Sequence, residues 1–279
     1  MAIKTLDGKK CLITGAASGI GRATAIAAAA RGAHLFLTDV NEVGLAETTA
    51  LVGGAGGTVS FSKALDISDF EAVTAFADEI HDQFGSLDVV MNVAGISAWG
   101  TVENLEHRHW KSMVDVNLMG PIHIIERFVP PMIAAGRGGH LVNVSSAAGL
   151  LALPWHAAYS ASKFGLRGVS EVLRFDLKRH GIGVSLVVPG GVRTPLVGSV
   201  QIAGVDRSDP RVEKLTRRFE KRAVTPEKVA ACILAGIEKN RFLVYTSADI
   251  RFGYWWARKF APPYEFVMQK ANDQFSKLL

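Results

Sequence analysis

Short apolar runs rich in β-branched residues recur along the chain, at Lys10–Thr14, His34–Thr38, Thr58–Phe61, Asp88–Asn92, His140–Val144, Gly183–Val188 and Phe242–Tyr245. Most are continuously apolar rather than alternating, the pattern of strands buried on both faces. Between them lie longer stretches with helical periodicity: Ile20–Arg31, Asp69–Phe84, Ala157–His180 and Pro226–Lys239, with two further helices expected within Asn104–Ala135. This alternation predicts an α/β fold, a single domain built on a doubly wound, parallel, seven-stranded sheet with right-handed crossovers. Such sheets bind ligands beyond the carboxyl ends of their strands, where the strand order reverses.

Gly53–Gly57 reads as a turn between a helix and the third strand. The least regular region, Gly190–Pro210, follows the sixth strand and is expected to overhang the site; beyond it Val212, Leu215 and Phe219 recur at helical spacing. The expected organisation is one α/β domain over 1–250, including a loop at 190–222 over the ligand site, and a C-terminal helical extension over 251–279.

Composition narrows the class. With 279 residues, 48% hydrophobic and 20% charged, the chain can bury a large core and is not a disordered segment. No apolar run reaches the roughly 18 residues of a membrane span, and Met1–Lys10 lacks the apolar core of a signal peptide, so a cytoplasmic location is expected. Two cysteines, Cys11 and Cys232, are too few for a disulfide framework or a zinc site. The histidines show no metal-ligand spacing, and His107 and His109 read as a solvated helix start. The net charge of +5 is local: 207–222 holds seven basic against three acidic residues and 251–279 five against two. Without a basic stripe on a recognisable motif, nucleic acid is not an expected partner.

The first strand runs into Thr14-Gly15-Ala16-Ala17-Ser18-Gly19-Ile20-Gly21. Glycines here let the backbone turn tightly and approach a pyrophosphate, which the next helix faces with free N–H groups and its positive dipole end. Asp39 ends the second strand about 20 residues on, where a carboxylate accepts hydrogen bonds from ribose hydroxyls and repels a 2′-phosphate. Neither Ser18 nor Val40 is the cation a 2′-phosphate wants, and Arg22 sits one turn into the helix, so NAD(H) is expected over NADP(H). Asp66-Ile67 after the third strand are placed near the adenine, and Asn92-Val93-Ala94-Gly95 after the fourth supply small residues for close passage of the cofactor.

Tyr159 and Lys163 are four apart in a predicted helix and share a face. A tyrosine near its ordinary pKa of about 10 is a poor base at neutrality, and a neighbouring ammonium lowers that value. The glycine turn, Asn92-Val93-Ala94-Gly95, Asn117, Ser146, Tyr159-x3-Lys163 and Pro189-Gly190-Gly191-Val192-Arg193-Thr194 follow one another in a single order on one βα pattern. Together they closely resemble the short-chain dehydrogenase/reductase (SDR) family, over roughly residues 5–246. The resemblance implies a Rossmann fold and a homodimer or homotetramer. It implies that Tyr159 moves the proton of an alcohol or carbonyl, that Lys163 lowers the tyrosine pKa and holds the nicotinamide ribose, and that Ser146 bonds the substrate oxygen. It implies that Asn117 bends its helix and holds a relay water, that Val192 and Thr194 meet the carboxamide, and that Gly15, Ser18, Gly19, Ile20, Gly21, Ala94, Gly95, Pro189 and Gly190 line the cofactor path. No metal is implied.

The segment Ala147–Trp155 is mostly apolar, Trp99 adds to it, and His156 stands near the expected substrate mouth. An apolar pocket with one polar corner suits a hydrophobic secondary alcohol or ketone of steroid, retinoid or fatty-alcohol type. The tail 251–263 interleaves aromatics with cations, which fits packing on the domain or contact with a membrane interface. Two other readings remain open: a non-catalytic dinucleotide sensor of the same fold, and a peripheral membrane protein acting through its tail.

Overall fold

Strands that are apolar on both faces need a helical layer on each side, and the chain supplies both. The computed structural model describes residues 3–196, 200–205, 209 and 223–276. Its strands are β1 (Lys10–Thr14), β2 (His34–Asp39), β3 (Thr58–Ala64), β4 (Val89–Asn92), β5 (Ala98–Trp99), β6 (Gly139–Val144), β7 (Ile182–Val188), β8 (Gln201–Ile202) and β9 (Leu243–Tyr245). Its α-helices are α1 (Gly19–Ala29), α2 (Glu42–Gly54), α3 (Phe70–Phe84), α4 (His107–Val114), α5 (Gly120–Ala135), α6 (Ala157–Asp176), α7 (Pro226–Glu238), α8 (Ala248–Lys259) and α9 (Ala261–Ser276). Seven strands form one sheet in the order β3-β2-β1-β4-β6-β7-β9, with every neighbouring pair parallel; β5 and β8 make a small separate parallel pair. The expected seven-stranded doubly wound sheet is therefore the observed one.

Successive strand residues point to opposite faces, and neighbouring positions on β1 show it. Ile13 packs with Leu35, Leu37 and Met91 beneath α1 and α7, where Ala25, Ala28, Ile233 and Ile237 meet them. Leu12 packs on the other face with Phe36, Val90 and Leu141 against Phe76 and Ile80 of α3 and Ile124 and Phe128 of α5. The strand order reverses between β1 and β4. There the Thr14 hydroxyl oxygen accepts from the amides of Val93 and Ala94, at 3.0 and 3.1 Å, tying the two strand ends together at the head of a crevice.

Several boundaries differ from the sequence expectation, each for a local reason. β3 runs on to Ala64 because it is an edge strand, where polar Ser62 and Lys63 stay exposed. α6 stops at Asp176 rather than His180; a tighter turn at Lys178–His180 and Gly181 in the left-handed region end it. His109 is not solvated: it is buried, and its Nδ1 accepts from the Glu106 amide to cap α4. Between α4 and α5 the helix widens by one turn of π type at Asp115–Met119, centred on buried Asn117. The expected boundary at 250/251 falls inside α8, whose Tyr254 is buried against Leu150, Leu151, Leu186 and Val188. The basic run 207–222 with Val212, Leu215 and Phe219 lies outside the described residues, Asp209 excepted. No helix among the described residues is long and apolar enough to cross a membrane.

Phe128 is fully buried between α3 and the sheet, whereas Phe266 on α9 is 60% exposed. Phe128→Ala is expected to destabilise the fold by about 3–5 kcal/mol through lost burial and a residual cavity, and Phe266→Ala by no more than about 0.5 kcal/mol. Urea unfolding of both variants checks the difference.

Candidate active site

The glycine turn is built so that no side chain fits inside it. A Cβ on Gly21 would lie 1.9 Å from the Gly15 carbonyl oxygen, and one on Gly15 would lie 2.7 Å from Ala94 Cα. Gly15 and Gly19 also adopt φ of +70° and +51°, the region that favours glycine. Ser18 precedes α1 in extended backbone and its side chain makes no cap, so the first-turn amides stay available to a ligand anion. Asp39 closes the far side: its Oδ2 accepts from the Ala17 amide at 2.9 Å and its Oδ1 from the Asn41 amide at 2.9 Å. Arg22 is held beside this corner, donating to the Ala17 and Gly44 carbonyls, to Thr48 and to Glu47.

From this turn a cavity of about 270 Å³ extends along the carboxyl ends of β4, β6 and β7. Ile20, Gly95, Ser146, His156, Tyr159, Lys163, Pro189, Gly190, Val192 and Thr194, all singled out in the sequence, line it. Thr194 stands over the glycine turn, within 3.1 Å of where a Gly19 Cβ would be.

The polar corner is assembled by α6. Tyr159 and Ser146 line the same cavity, and the Ser146 Oγ accepts from the Ala148 amide at 3.1 Å. Ser145, the neighbouring serine, is committed elsewhere: its hydroxyl donates to the Lys163 carbonyl at 3.0 Å. Lys163 Nζ lies 5.7 Å from the Tyr159 ring centroid and donates to the Val144 carbonyl at 3.1 Å. Burial pushes Lys163 down to about 8. Burial raises Tyr159 above its ordinary value, with Ser146 pulling the other way. The expected lowering of Tyr159 is thus not the direction found here: desolvation of the phenol raises it.

Asn117 stands behind the cavity. Its side-chain amide grips Ile96, accepting from the amide and donating to the carbonyl at 2.9 Å each, and donates to Ser162 at 3.3 Å. Gly95 is wedged between Asn117 and Lys163; a Cβ there would sit 3.0 Å from Asn117 Oδ1 and 3.3 Å from Lys163 Nζ. Asn92 is not in the cavity. Its Nδ2 donates to Asn143 Oδ1, and Asn143 donates in turn to Ser170 on α6, a buried chain that fixes α6 to β4 and β6. Asp66 is exposed and accepts from Ser68, while Ile67 is buried in the core. Neither lines the cavity.

Apolar side chains form the remaining walls: Trp99, Leu151, Leu153, Leu196, Val200 and Ile250. Trp99 was anticipated; Ile250, on α8, was not. Its signal was present, since a helix that starts at the carboxyl end of a strand opens on the ligand side of the sheet. His156 stacks on Trp99 with ring centroids 4.5 Å apart, and its Nδ1 donates to the Pro154 carbonyl at 2.6 Å. A carbonyl only accepts, so that bond leaves Nε2 as the acceptor of a neutral ring, and burial holds the His156 pKa low.

Known proteins agree with this architecture. The family model for short chain dehydrogenase matches residues 9–203. A Mycobacterium tuberculosis protein designated an oxidoreductase, SadH, is 36% identical over 251 residues, covering 89% of this chain and 90% of its own. A Burkholderia phymatum SDR solved in complex with NAD superposes with a TM-score of 0.84 at 31% identity, covering 92% of this chain and 95% of that one. A metagenomic short-chain oxidoreductase in complex with NADP gives 0.68 at 31% identity, covering 86% and 96%. The chain belongs to the short-chain dehydrogenase/reductase family of oxidoreductases, whose fold binds a nicotinamide dinucleotide.

Proposed function

We propose that this protein interconverts apolar secondary alcohols and ketones with NAD(H), Tyr159 acting as general acid/base. The observation that carries this reading is Tyr159, Ser146 and Lys163 together on the lining of a cavity whose other walls are mostly apolar side chains.

The residues present fit the dinucleotide. The turn at Gly15, Gly19 and Gly21 admits no Cβ, so backbone amides rather than side chains face the crevice, and Gly95 keeps the path narrow and smooth. Pro189, Gly190, Val192 and Thr194 would hold the nicotinamide end, and Asp39 the adenosine ribose. When bound, the nicotinamide supplies the hydride acceptor or donor. Each Asp39 oxygen already takes one amide and retains a further lone pair for a ribose hydroxyl. Arg22 is already engaged by Glu47 and two carbonyls, which leaves the Asp39 carboxylate to repel a 2′-phosphate.

The chain's own task is to manage one proton. Ser146 accepts an amide through its oxygen, so its hydroxyl proton is left to donate toward a substrate oxygen or the phenol. Tyr159 takes or gives the substrate proton. Lys163, still mostly protonated at neutrality with a pKa near 8, favours the phenolate against the desolvation that opposes it. The apolar walls exclude water around the reacting carbon and select an apolar substituent; a cavity of about 270 Å³ takes the reacting end of a steroid-, retinoid- or fatty-alcohol-like molecule.

Tyr159→Phe is expected to lower turnover by about three orders of magnitude or more while NADH binding persists. A panel of apolar secondary alcohols with NAD, followed by NADH absorbance, checks it; near-normal activity of the variant would remove the mechanism. Asp39→Ala is expected to weaken NADH binding about tenfold or more and to relieve discrimination against NADPH. Tighter binding of NADPH by the unaltered protein, read by fluorescence titration, would reverse the cofactor assignment.

Lys163 also ties stability to pH. Its folded value of about 8 lies below the ordinary 10.5, so between these values the unfolded chain holds more protons than the folded one. Stability attributable to Lys163 therefore rises from pH 8 to 10.5 and is lost as pH falls back through 8. Lys163→Met is expected to be more stable than the unaltered protein at neutral pH by about 1–3 kcal/mol, with the gap closing as pH rises and with turnover lost. Urea unfolding across that range measures the gap; a gap independent of pH would contradict a depressed lysine.

A further inference from the structure

The C-terminal helices lie beyond the part of the chain matched by the family model, and they do not lie idle. Ile250 of α8 is a wall of the cavity, and it presses on Gly190: a Cβ there would meet Ile250 Cδ1 at 3.1 Å. Tyr254, one turn further, is buried, and its hydroxyl accepts from Arg167 of α6 at 3.0 Å, with the Arg167 guanidinium 5.4 Å from its ring centroid. Tyr264 of α9 accepts at its hydroxyl from the Ala152 amide at 2.7 Å. Phe275, near the end of α9, packs on Trp155 with ring centroids 5.5 Å apart.

The last two contacts land on one segment, Leu150–His156, whose Leu151, Leu153 and His156 line the cavity. That segment needs holding. Trp155 has φ of +66°, the left-handed region, which is unfavourable by roughly 1–2 kcal/mol for a residue with a Cβ and persists only where its surroundings over-determine it. From one side the Gly100 amide donates to the Trp155 carbonyl at 2.8 Å; from the other, Phe275 covers the indole. The strained turn delivers His156 to the head of α6, three residues before Tyr159, and against Trp99.

We infer that α8 and α9 form the substrate-selecting wall of this enzyme: Ile250 contacts the substrate, and Tyr264 and Phe275 are positioning residues that fix the backbone of Leu150–His156. The word substrate rests on the alcohol–ketone reading above; the positioning role does not. Specificity is then set partly from the far end of the chain, by one tyrosine hydroxyl and one phenyl ring that do not line the cavity.

The test uses the full chain carrying Tyr264→Phe, Phe275→Ala or Ile250→Ala, with Phe266→Ala, on the exposed side of α9, as the control. Amide exchange over 150–156 is the readout that needs no substrate. Tyr264→Phe is expected to speed exchange at Ala152 about tenfold, the loss of one hydrogen bond to a neutral acceptor, and Phe275→Ala to speed it around Trp155. Across alcohols graded in bulk, both are expected to raise KM more than they lower kcat and to reorder the series. Ile250→Ala is expected to shift preference to bulkier members, and NADH affinity is expected to stay within about twofold throughout. Unchanged exchange and an unchanged series in both positioning variants would overturn the inference, as would an equal effect from Phe266→Ala. If the unaltered protein turns over no alcohol or ketone, the reaction assignment falls, and exchange alone still decides the positioning role.

Discussion

Lys163 carries an ammonium with 4% of its surface exposed. A buried cation must be given oxygen partners or surrender its proton, and much of the site's architecture follows from providing them. The Val144 carbonyl at the end of β6 is one partner, so α6 has to lie close over that strand end. Gly149 permits the approach: a Cβ there would strike Ser145 Oγ at 2.3 Å and the Lys163 carbonyl at 2.9 Å. Behind, the Asn92–Asn143–Ser170 chain locks α6 to β4 and β6. In front, Gly95 leaves room for the ammonium where any side chain would press on it. Once α6 is so placed, Tyr159 is one turn before Lys163 and shares the cavity lining with Ser146 on the adjoining loop.

The fold was legible because its signals are redundant. Each central strand is mostly apolar, and the helices between them show the expected period, so the sheet and its order of elements follow from the pattern. β3 was cut short because an edge strand carries Ser62 and Lys63 without penalty, which polarity alone reads as a loop. α6 was drawn too long because Lys178–His180 are acceptable helix formers, and the stop lies in the left-handed glycine after them. His109 misled for a different reason: a histidine in a polar stretch reads as solvated, yet its ring nitrogen serves as an acceptor for an orphan amide.

At the site the sequence named the residues better than their arrangement. Spacing marked Tyr159, Lys163 and Ser146, but pattern cannot give the balance of forces on a phenol, and burial here raises it above its ordinary value. Asn92 and Ile67 flank cofactor-lining stretches in sequence while pointing into the core, since a strand end alternates its faces at every residue. The tail was the least legible part. Aromatics at 252–266 occur on both sides of their helices: Tyr254 faces the core, whereas Phe252, Trp255, Phe260 and Phe266 face out. Composition reports how many rings a segment has and not which way each one turns.

Position within the sheet separates the two halves of the site. The glycine turn and Thr14 sit at the centre, between β1 and β4, where strands are paired on both sides and covered by helices on both faces. The helices that carry Ile250, Tyr264 and Phe275 follow β9, a three-residue edge strand paired with β7. Opening free energies are smallest where few buried contacts and few paired strands hold an element. By that rule the edge is expected to open at lower free energy than the centre, where the glycine turn sits. The anchors from α9 back to Ala152 and Trp155 counter this by joining the edge to the loop after β6. Those two contacts tie the C-terminal helices to the cavity lining independently of the strand that precedes them.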